Sequence, residues 1–505
     1  MSTITQMVSL RMGQALVGQG PVVRAPASST TTASAASPST VVALGATQSA
    51  VTVVDYTDLI KSSGDKTIDP LLAGGNRWWH TAGASGATPS AAAKHTLTYS
   101  FIGSASGLNA TDAAGFQALD STQQQVIRDA LAYISTVVDI TFNEVSSGGD
   151  LQYGSNSQAS SAGYARYPNE GSQVFLANNQ SSFSGSWAQG SYEWETIVHE
   201  TGHALGLKHP GNYNAGGGGT PGPYLSKAAD NRNNTIMSYN NNAANMKRVV
   251  YSNNSFQASY VNPDTFQQYD IAALQYLYGA AQGVAAQTYS WSDAPVMNQT
   301  IWNPTAGSGI DLSNQTKDSI VDLRAGKSSS IGLRDAYGDM PFDKAGYAAL
   351  TSGGKKLTAL MGVPTYTGAG NLTIAKGSHV DHATGGSGND KFITNTEDNV
   401  IDGGGGDDAV FVAATADAEI TGGNGDDTVY VVKKSGTVWS LSQDGSTLTQ
   451  TKTDAKTHVT TTLATITLSG VEHVKYWNGT ALKATGVALY GMPAAAPSPT
   501  VTTTA

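Results

Sequence analysis

The chain has 505 residues, a formal net charge of −10 from 28 Lys and Arg against 38 Asp and Glu, and no cysteine. Its length exceeds what one hydrophobic core usually serves and predicts two or three domains. An acidic balance without a Lys/Arg cluster argues against a nucleic-acid surface and fits cation binding, while the absence of Cys excludes both a disulfide framework and thiolate chemistry.

From the N-terminus, MSTITQMVSLRMGQALVGQG lacks the basic start, the apolar run of about 7 to 15 residues and the small-residue cleavage site of a secretory signal. That leaves cytoplasmic residence or export by a route that reads another part of the chain. Pro26 to Gln48 is mostly Ala, Ser, Thr, Pro and Val, too poor in large apolar groups to offset ordering entropy. Residues 1–50 are expected to form a flexible leader, either a propeptide or a disordered tail. Ordered structure is expected from near Val51, with Asp69 to Trp79 as the first apolar anchor.

His95 to Ile102 alternates and predicts a strand. Ser121 with Gln124 forms a capping box for a helix whose apolar stripe is Val126, Ile127, Ala130, Ile134, Val137 and Val138. Asp139 to Val145, Leu151 to Tyr153, Tyr164 to Tyr167 and Gln173 to Ala177 follow as short strands. Ser191 caps the next helix, with Trp194, Ile197, Val198 and Leu205 buried and Gly206 ending it. A Gly- and Asn-rich loop precedes Thr235 to Tyr239, and Asp264 to Tyr278 predicts a further helix. Gln287 to Val380 alternates short apolar runs with turns, consistent with β structure. No run reaches the roughly 18 apolar residues that a membrane-spanning helix needs.

The chemistry concentrates at HETGHALGLKH, residues 199–209. His199 and His203, four apart on a helix, project from one face as imidazole ligands, and Glu200 follows the first ligand as a general base. His209 can reach the same ion if the chain turns off the helix at Gly206. Three His with one vacancy favour catalytic Zn²⁺ over a closed structural site. A second signal lies downstream, where GGSGNDKFI, GGGGDDAVF and GGNGDDTVY begin at Gly385, Gly403 and Gly422 with a period of nine and one slip. In such repeats Gly allows tight turns, the Asp at position six (Asp390, Asp408, Asp427) binds Ca²⁺ with backbone carbonyls, and position eight (Phe392, Val410, Val429) packs inward. Gly385, Ser387, Asn389, Gly403, Gly405, Asp407, Gly422, Asn424 and Asp426 complete the candidate calcium set.

HETGHALGLKHPGNYNAG, MSY and YDIAALQYLYG resemble the serralysin branch of the metzincins over most of Asp69 to Gly279. The resemblance implies that Met237 is the Met-turn beneath the metal and that Tyr239 is an additional zinc ligand able to swing away and stabilise the oxyanion. It also implies an α+β metzincin-like catalytic domain (51–280) followed by an all-β parallel β-roll/β-sandwich domain (281–505) with RTX repeats at 385–430. The implied protein is a secreted, monomeric, zinc-dependent endopeptidase made as a zymogen, which acts on protein or peptide substrates by Glu-assisted attack of zinc-bound water. Its cofactors are Zn²⁺ and Ca²⁺, and it leaves the cell by a signal-peptide-independent, type I exporter that reads the C-terminal region. The family often ends in an acidic residue and several hydrophobic ones, whereas this chain ends PAAAPSPTVTTTA. Substrate is expected as an extended strand beside the edge Tyr164 to Tyr167. His80, His95, His379, His382, His458 and His473 lack ligand spacing and are read as surface or structural residues. The rival readings are a calcium-binding adhesion protein and a metal hydrolase of non-protein substrates.

Overall fold

The computed structural model describes residues 62–73 and 95–477, apart from 169–171, 181–182, 184, 215–217, 243–246, 253–254, 338–339, 341, 353, 362–365, 413–415 and 433, together with 483–484 and 487–488. The leader and the C-terminal tail fall outside these residues. So does most of the expected apolar anchor, whose start, Asp69–Leu71, forms one 3-10 turn.

The first domain is built on a five-stranded sheet of β1 (His95–Phe101), β2 (Ile140–Glu144), β3 (Leu151–Asn156), β4 (Gly163–Ala165) and β5 (Ser172–Ala177), in spatial order β2-β1-β3-β5-β4. Four strands run parallel, and β4 pairs antiparallel with β5 at one edge. Its helices are the single turn α1 (Ala110–Ala113), then α2 (Ser121–Val137), α3 (Tyr192–Ala204) and α4 (Gln268–Tyr278).

α2 buries Ile127, Ala130, Leu131, Ile134 and Val137, the positions that a 3.6-residue period puts on one face, in a core shared with Leu97, Leu151, Tyr153, Trp194 and Ile197. Its capping box lies one residue upstream of the expected pair. Asp120 accepts from the Gln123 amide, and Gln123 Oε1 accepts from the Asp120 amide, both at 2.9 Å, while Gln124 turns back to the Leu119 carbonyl. α4 starts at Gln268 rather than Asp264, because the preceding residues bond sideways to the second domain. There the Asp264 amide donates to Asn298 O and the Thr300 amide to Thr265 Oγ1, at 2.9 and 2.8 Å. These sideways bonds seat the first domain on the second.

The second domain is a β-roll. Each coil contributes one strand to an eight-stranded sheet and one to a five-stranded sheet. In the first sheet Val380–Thr384, Asn399–Gly405 and Ala418–Asn424 stack in parallel, and in the second Lys391–Ile393, Ala409–Val412 and Thr428–Val432 do the same. Phe392 pairs with Val410 and Val410 with Val429, so equivalent residues stand eighteen and then nineteen apart; the slip in the repeat is this one-residue difference. All three face a common core with Ile401 and Ile420. Parallel stacking continues past the repeats to Ile320–Asp322 on one side and His473–Trp477 on the other. Two short helices, Lys344–Ala349 and Leu357–Met361, interrupt the β structure expected before Val380. Among the described residues no helix is long and apolar enough to cross a membrane.

Candidate active site

Every residue of α3 from Glu193 to Ala204 is buried, so the helix carries its polar side chains into the domain rather than to solvent. Ser191 caps it by accepting from the Trp194 amide at 3.1 Å. At its other end Gly206 adopts φ 104°, a left-handed turn that L side chains resist, and the chain reverses so that His209 returns to the helix. The Lys208 amide then bonds the Leu71 carbonyl at 2.7 Å, pinning the returning segment.

These turns bring His199, His203 and His209 together. His209 Nε2 stands 3.2 Å from His199 Nε2 and 3.1 Å from His203 Nε2. The other ring nitrogens face oxygens that can only accept: His199 Nδ1 lies 2.9 Å from Ile236 O, His203 Nδ1 2.8 Å from Leu207 O and His209 Nδ1 2.7 Å from Asn214 Oδ1. Each Nδ1 therefore carries the proton, and three Nε2 lone pairs converge on one point. Burial keeps all three rings neutral, pushing His199 well below its ordinary pKa and His203 down to about 3; it lowers His209 as well. Lone pairs so arranged repel unless a cation sits among them. Nitrogens each about 2.05 Å from one tetrahedral ion would stand about 3.3 Å apart, close to the spacing found, and the all-imidazole set suits Zn²⁺.

Glu200 lies beside this cluster. Its carboxyl is buried, Oε2 has no hydrogen-bond partner, and burial pushes its pKa up to about 8. The edge strand β4 comes this close because Gly163 has no side chain: a Cβ there would stand 2.8 Å from Glu200 Cγ and 3.0 Å from Thr196 Cγ2. Met237 is fully buried with its sulfur under Gly202, between the two helical histidines. The Tyr239 ring lies 4.6 Å from that of His209 and 6.1 Å from that of His199, and Tyr213 stacks on it. Burial, followed by the charge of Glu200, raises the Tyr239 phenol. A cleft of about 310 Å³ runs over His199, Glu200 and Tyr239 between α3 and residues 160–163.

Three contributors carry no sequence signal of their own. Asp270 accepts from Thr235 Oγ1 and from the Ile236 and Gln267 amides at 2.5, 2.7 and 2.8 Å, fixing the segment whose carbonyl orients His199. Asn214 orients His209. Gly163 gives the cleft its width.

In the roll, the Asp390 amide donates to Asp408 Oδ1 and the Asp408 amide to Asp427 Oδ1, at 2.7 and 2.8 Å, forming a ladder between coils. Position five makes a second ladder through Asp318, Asn389, Asp407 and Asp426. Gly385, Gly403 and Gly422 abut the next coil's backbone and the ladder carboxylates, and Ser387 is tied to Gln315 O. Gly405 and Asn424 pair across adjacent coils. Oδ2 of Asp408 and of Asp427 is buried without a partner. Burial lifts Asp390 to about 6 and Asp408 to about 8 and raises Asp427, with neighbouring carboxylates adding to each. Such a stack of acids suits Ca²⁺. His379 and His382 pair with Glu397 and Asp381 at the surface, 2.6 and 2.5 Å away. His473 pairs with Asp426. Among the described residues the one group of three or more His, Cys, Asp or Glu placed to share a metal is His199, His203 and His209.

Two family models match this chain, each over a region that contains one of these clusters. Residues 94–250 match the model of metallo-peptidase family M12, and 384–417 with 419–431 match the RTX calcium-binding nonapeptide repeat. Metallopeptidase AprA of Pseudomonas marginalis is 30% identical over 61% of this chain and 62% of its own length. Serralysin G of Dickeya chrysanthemi is 31% identical over 61% and 60%, and serralysin of Proteus mirabilis 28% identical over 55% of each. The chain spans about three fifths of the length of the first two of these relatives. The chain is thus similar to family M12 metallopeptidases over residues 94–250, to RTX calcium-binding repeats over 384–431, and to the serralysins across both regions.

Proposed function

We propose that this protein is a secreted zinc endopeptidase. The observation that carries the reading is the convergence of three neutral Nε2 atoms beside a buried carboxyl oxygen that bonds nothing. His199, His203 and His209 hold the zinc, which when bound supplies Lewis acidity, polarising a scissile carbonyl and making water a nucleophile at neutral pH. The remaining steps fall to the chain. Glu200, which a cation held by the neighbouring histidines would return to its ionised form, would accept through Oε2 the proton of the attacking water and pass it to the leaving amine. Tyr239 would be a further ligand to the zinc through its phenol oxygen and, when off the metal, would donate a hydrogen bond to the developing oxyanion. Met237 supports the histidines from below. The substrate lies extended along β4, which among the described residues has a sheet neighbour only in β5.

The division 1–50, 51–280 and 281–505 assigns leader, catalytic domain and roll. Gly385, Ser387, Asn389, Asp390 and their equivalents in the next two repeats hold calcium. At low intracellular calcium the crowded carboxylates would leave the roll unfolded, and an exporter reading the C-terminal region would move the chain before calcium folds it outside. The reading is tested by cleavage of an unfolded protein by the full chain, zinc-loaded and then stripped by chelator.

Gly163→Ala gives a sharper test of the cleft. The three atoms nearest the added methyl belong to Glu200 and Thr196. Zinc per chain is expected to stay at the unmodified value while the cleavage rate falls about 10-fold or more, since small misplacements of a reacting group are costly. Zinc analysis beside peptide hydrolysis checks this.

A further inference from the structure

The cleft extends from Glu200 toward the N-terminus of α3, and there its wall is charged. Glu195 stands one helical turn before His199 on the same face, and its carboxylate forms an ion pair with the guanidinium of Arg232, from the segment before Met237. Both line the cleft, yet their side chains are only 8% and 10% exposed. The pair is braced from behind. Arg232 Nη1 donates to Asn241 Oδ1 at 3.0 Å, and the Arg232 carbonyl accepts from Asn298 Nδ2 at 3.2 Å. The Asn262 carboxamide lies against the pair: in one amide orientation its oxygen accepts from Arg232 Nη2 at 3.3 Å and its nitrogen donates to the Gly190 carbonyl at 3.3 Å, and in the other its nitrogen donates to the Glu195 carboxylate at 3.2 Å. Holding zinc and moving the proton require none of these residues. Burying two ions gains little stability over apolar packing, so stability does not explain the pair's place in the cleft.

We propose that the Glu195–Arg232 pair is a specificity-determining wall that selects a neutral hydrogen-bonding side chain, a carboxamide or hydroxyl, at one residue flanking the scissile bond. This rests on the peptidase reading above. A carboxamide can donate its NH₂ to Glu195 and offer its oxygen to Arg232 at once, replacing the water that each loses. An acidic or basic side chain adds net charge to a balanced buried pair and is repelled by one member. An aliphatic one covers the pair and returns no hydrogen bond, the situation in which polar sites discriminate most strongly. Tyr192 and Ile236 also line the cleft and would meet the methylenes of the incoming side chain.

The experiment uses the zinc-loaded full chain and a matched peptide set with Gln, Ser, Leu, Glu or Lys placed in turn at each residue flanking the cleaved bond. At one of the two positions kcat/KM for Gln is expected to exceed that for Leu, Glu and Lys by about 10-fold or more. In the volume-conserving double variant Glu195→Leu/Arg232→Met, checked for retained zinc, the Gln/Leu ratio is expected to invert. Unmodified enzyme that prefers Leu, or a charged residue, at both positions overturns the proposal, as does a double variant that binds zinc and keeps the Gln preference. Failure to cleave any peptide or an unfolded protein overturns the peptidase reading, and the subsite with it.

Discussion

Glu200→Gln is expected to keep its zinc and lose its chemistry. Glu200 is not one of the three converging nitrogens' residues, and the substitution preserves shape and burial while removing the ability to accept a proton. Loss of a general base typically lowers rates by about 10² to 10⁴, and more is expected here if, as proposed, the same carboxylate also delivers the proton to the leaving amine. His203→Ala should behave differently: it deletes a donor whose partner nitrogens stand 3.1 Å away or within the same cluster, so zinc occupancy and activity should fall together. Zinc per chain measured beside peptide-bond cleavage separates the two roles. A Glu200→Gln protein that holds zinc and cleaves at the unmodified rate would rule out the proton-transfer role.

The second large effect concerns the roll. Asp390, Asp408 and Asp427 ladder the coils through Oδ1, while Oδ2 of the latter two is left buried and unpartnered. Their folded pKa values are raised, so without calcium the folded roll binds more protons than the unfolded chain, and its stability falls as pH rises from the ordinary carboxylate range through about 6 and 8. Calcium removes that penalty. Each site at a calcium concentration of 100 Kd adds about 2.7 kcal/mol, which corresponds to a rise in Tm of roughly 5 to 10 °C for a domain of this class. The triple variant Asp390→Ala/Asp408→Ala/Asp427→Ala should lose the calcium-dependent rise and keep its zinc. Calorimetry with calcium and with a calcium chelator checks it, and a Tm of the unmodified protein that calcium leaves unchanged would refute the calcium ladder.

The parts of this architecture that were legible in the sequence are those governed by local periodicity. Four-residue spacing places His199 and His203 on one face whatever surrounds the helix, and Gly206 announces the turn that returns His209. Position eight of the repeats faces the core because a strand alternates, and Phe392, Val410 and Val429 do so. The strand read at Tyr164 to Tyr167 is found at Gly163–Ala165, at one edge of the sheet. Errors arose where two local solutions compete. Asp120/Gln123 and Ser121/Gln124 both satisfy the capping pattern, and the carboxylate took the cap. Thr265 to Gln267 can continue a helix, but strand Gln299–Ile301 claims their hydrogen bonds. What sequence could not supply is long-range: the reach of Asp270 to the segment holding Met237, the meeting of Glu195 with Arg232, and the continuation of the roll into strands that carry no GGxGxD.

Zinc-dependent proteolysis is the central expectation. Full-length protein incubated with an unfolded protein substrate, first as isolated, then after removal of metal by chelator, then after one equivalent of zinc is restored in the presence of calcium, measures it in one series. The expected result is cleavage, its loss, and its return in proportion to zinc bound. Cleavage that persists after zinc has been removed, or a chain that binds one zinc and cleaves nothing, would contradict it.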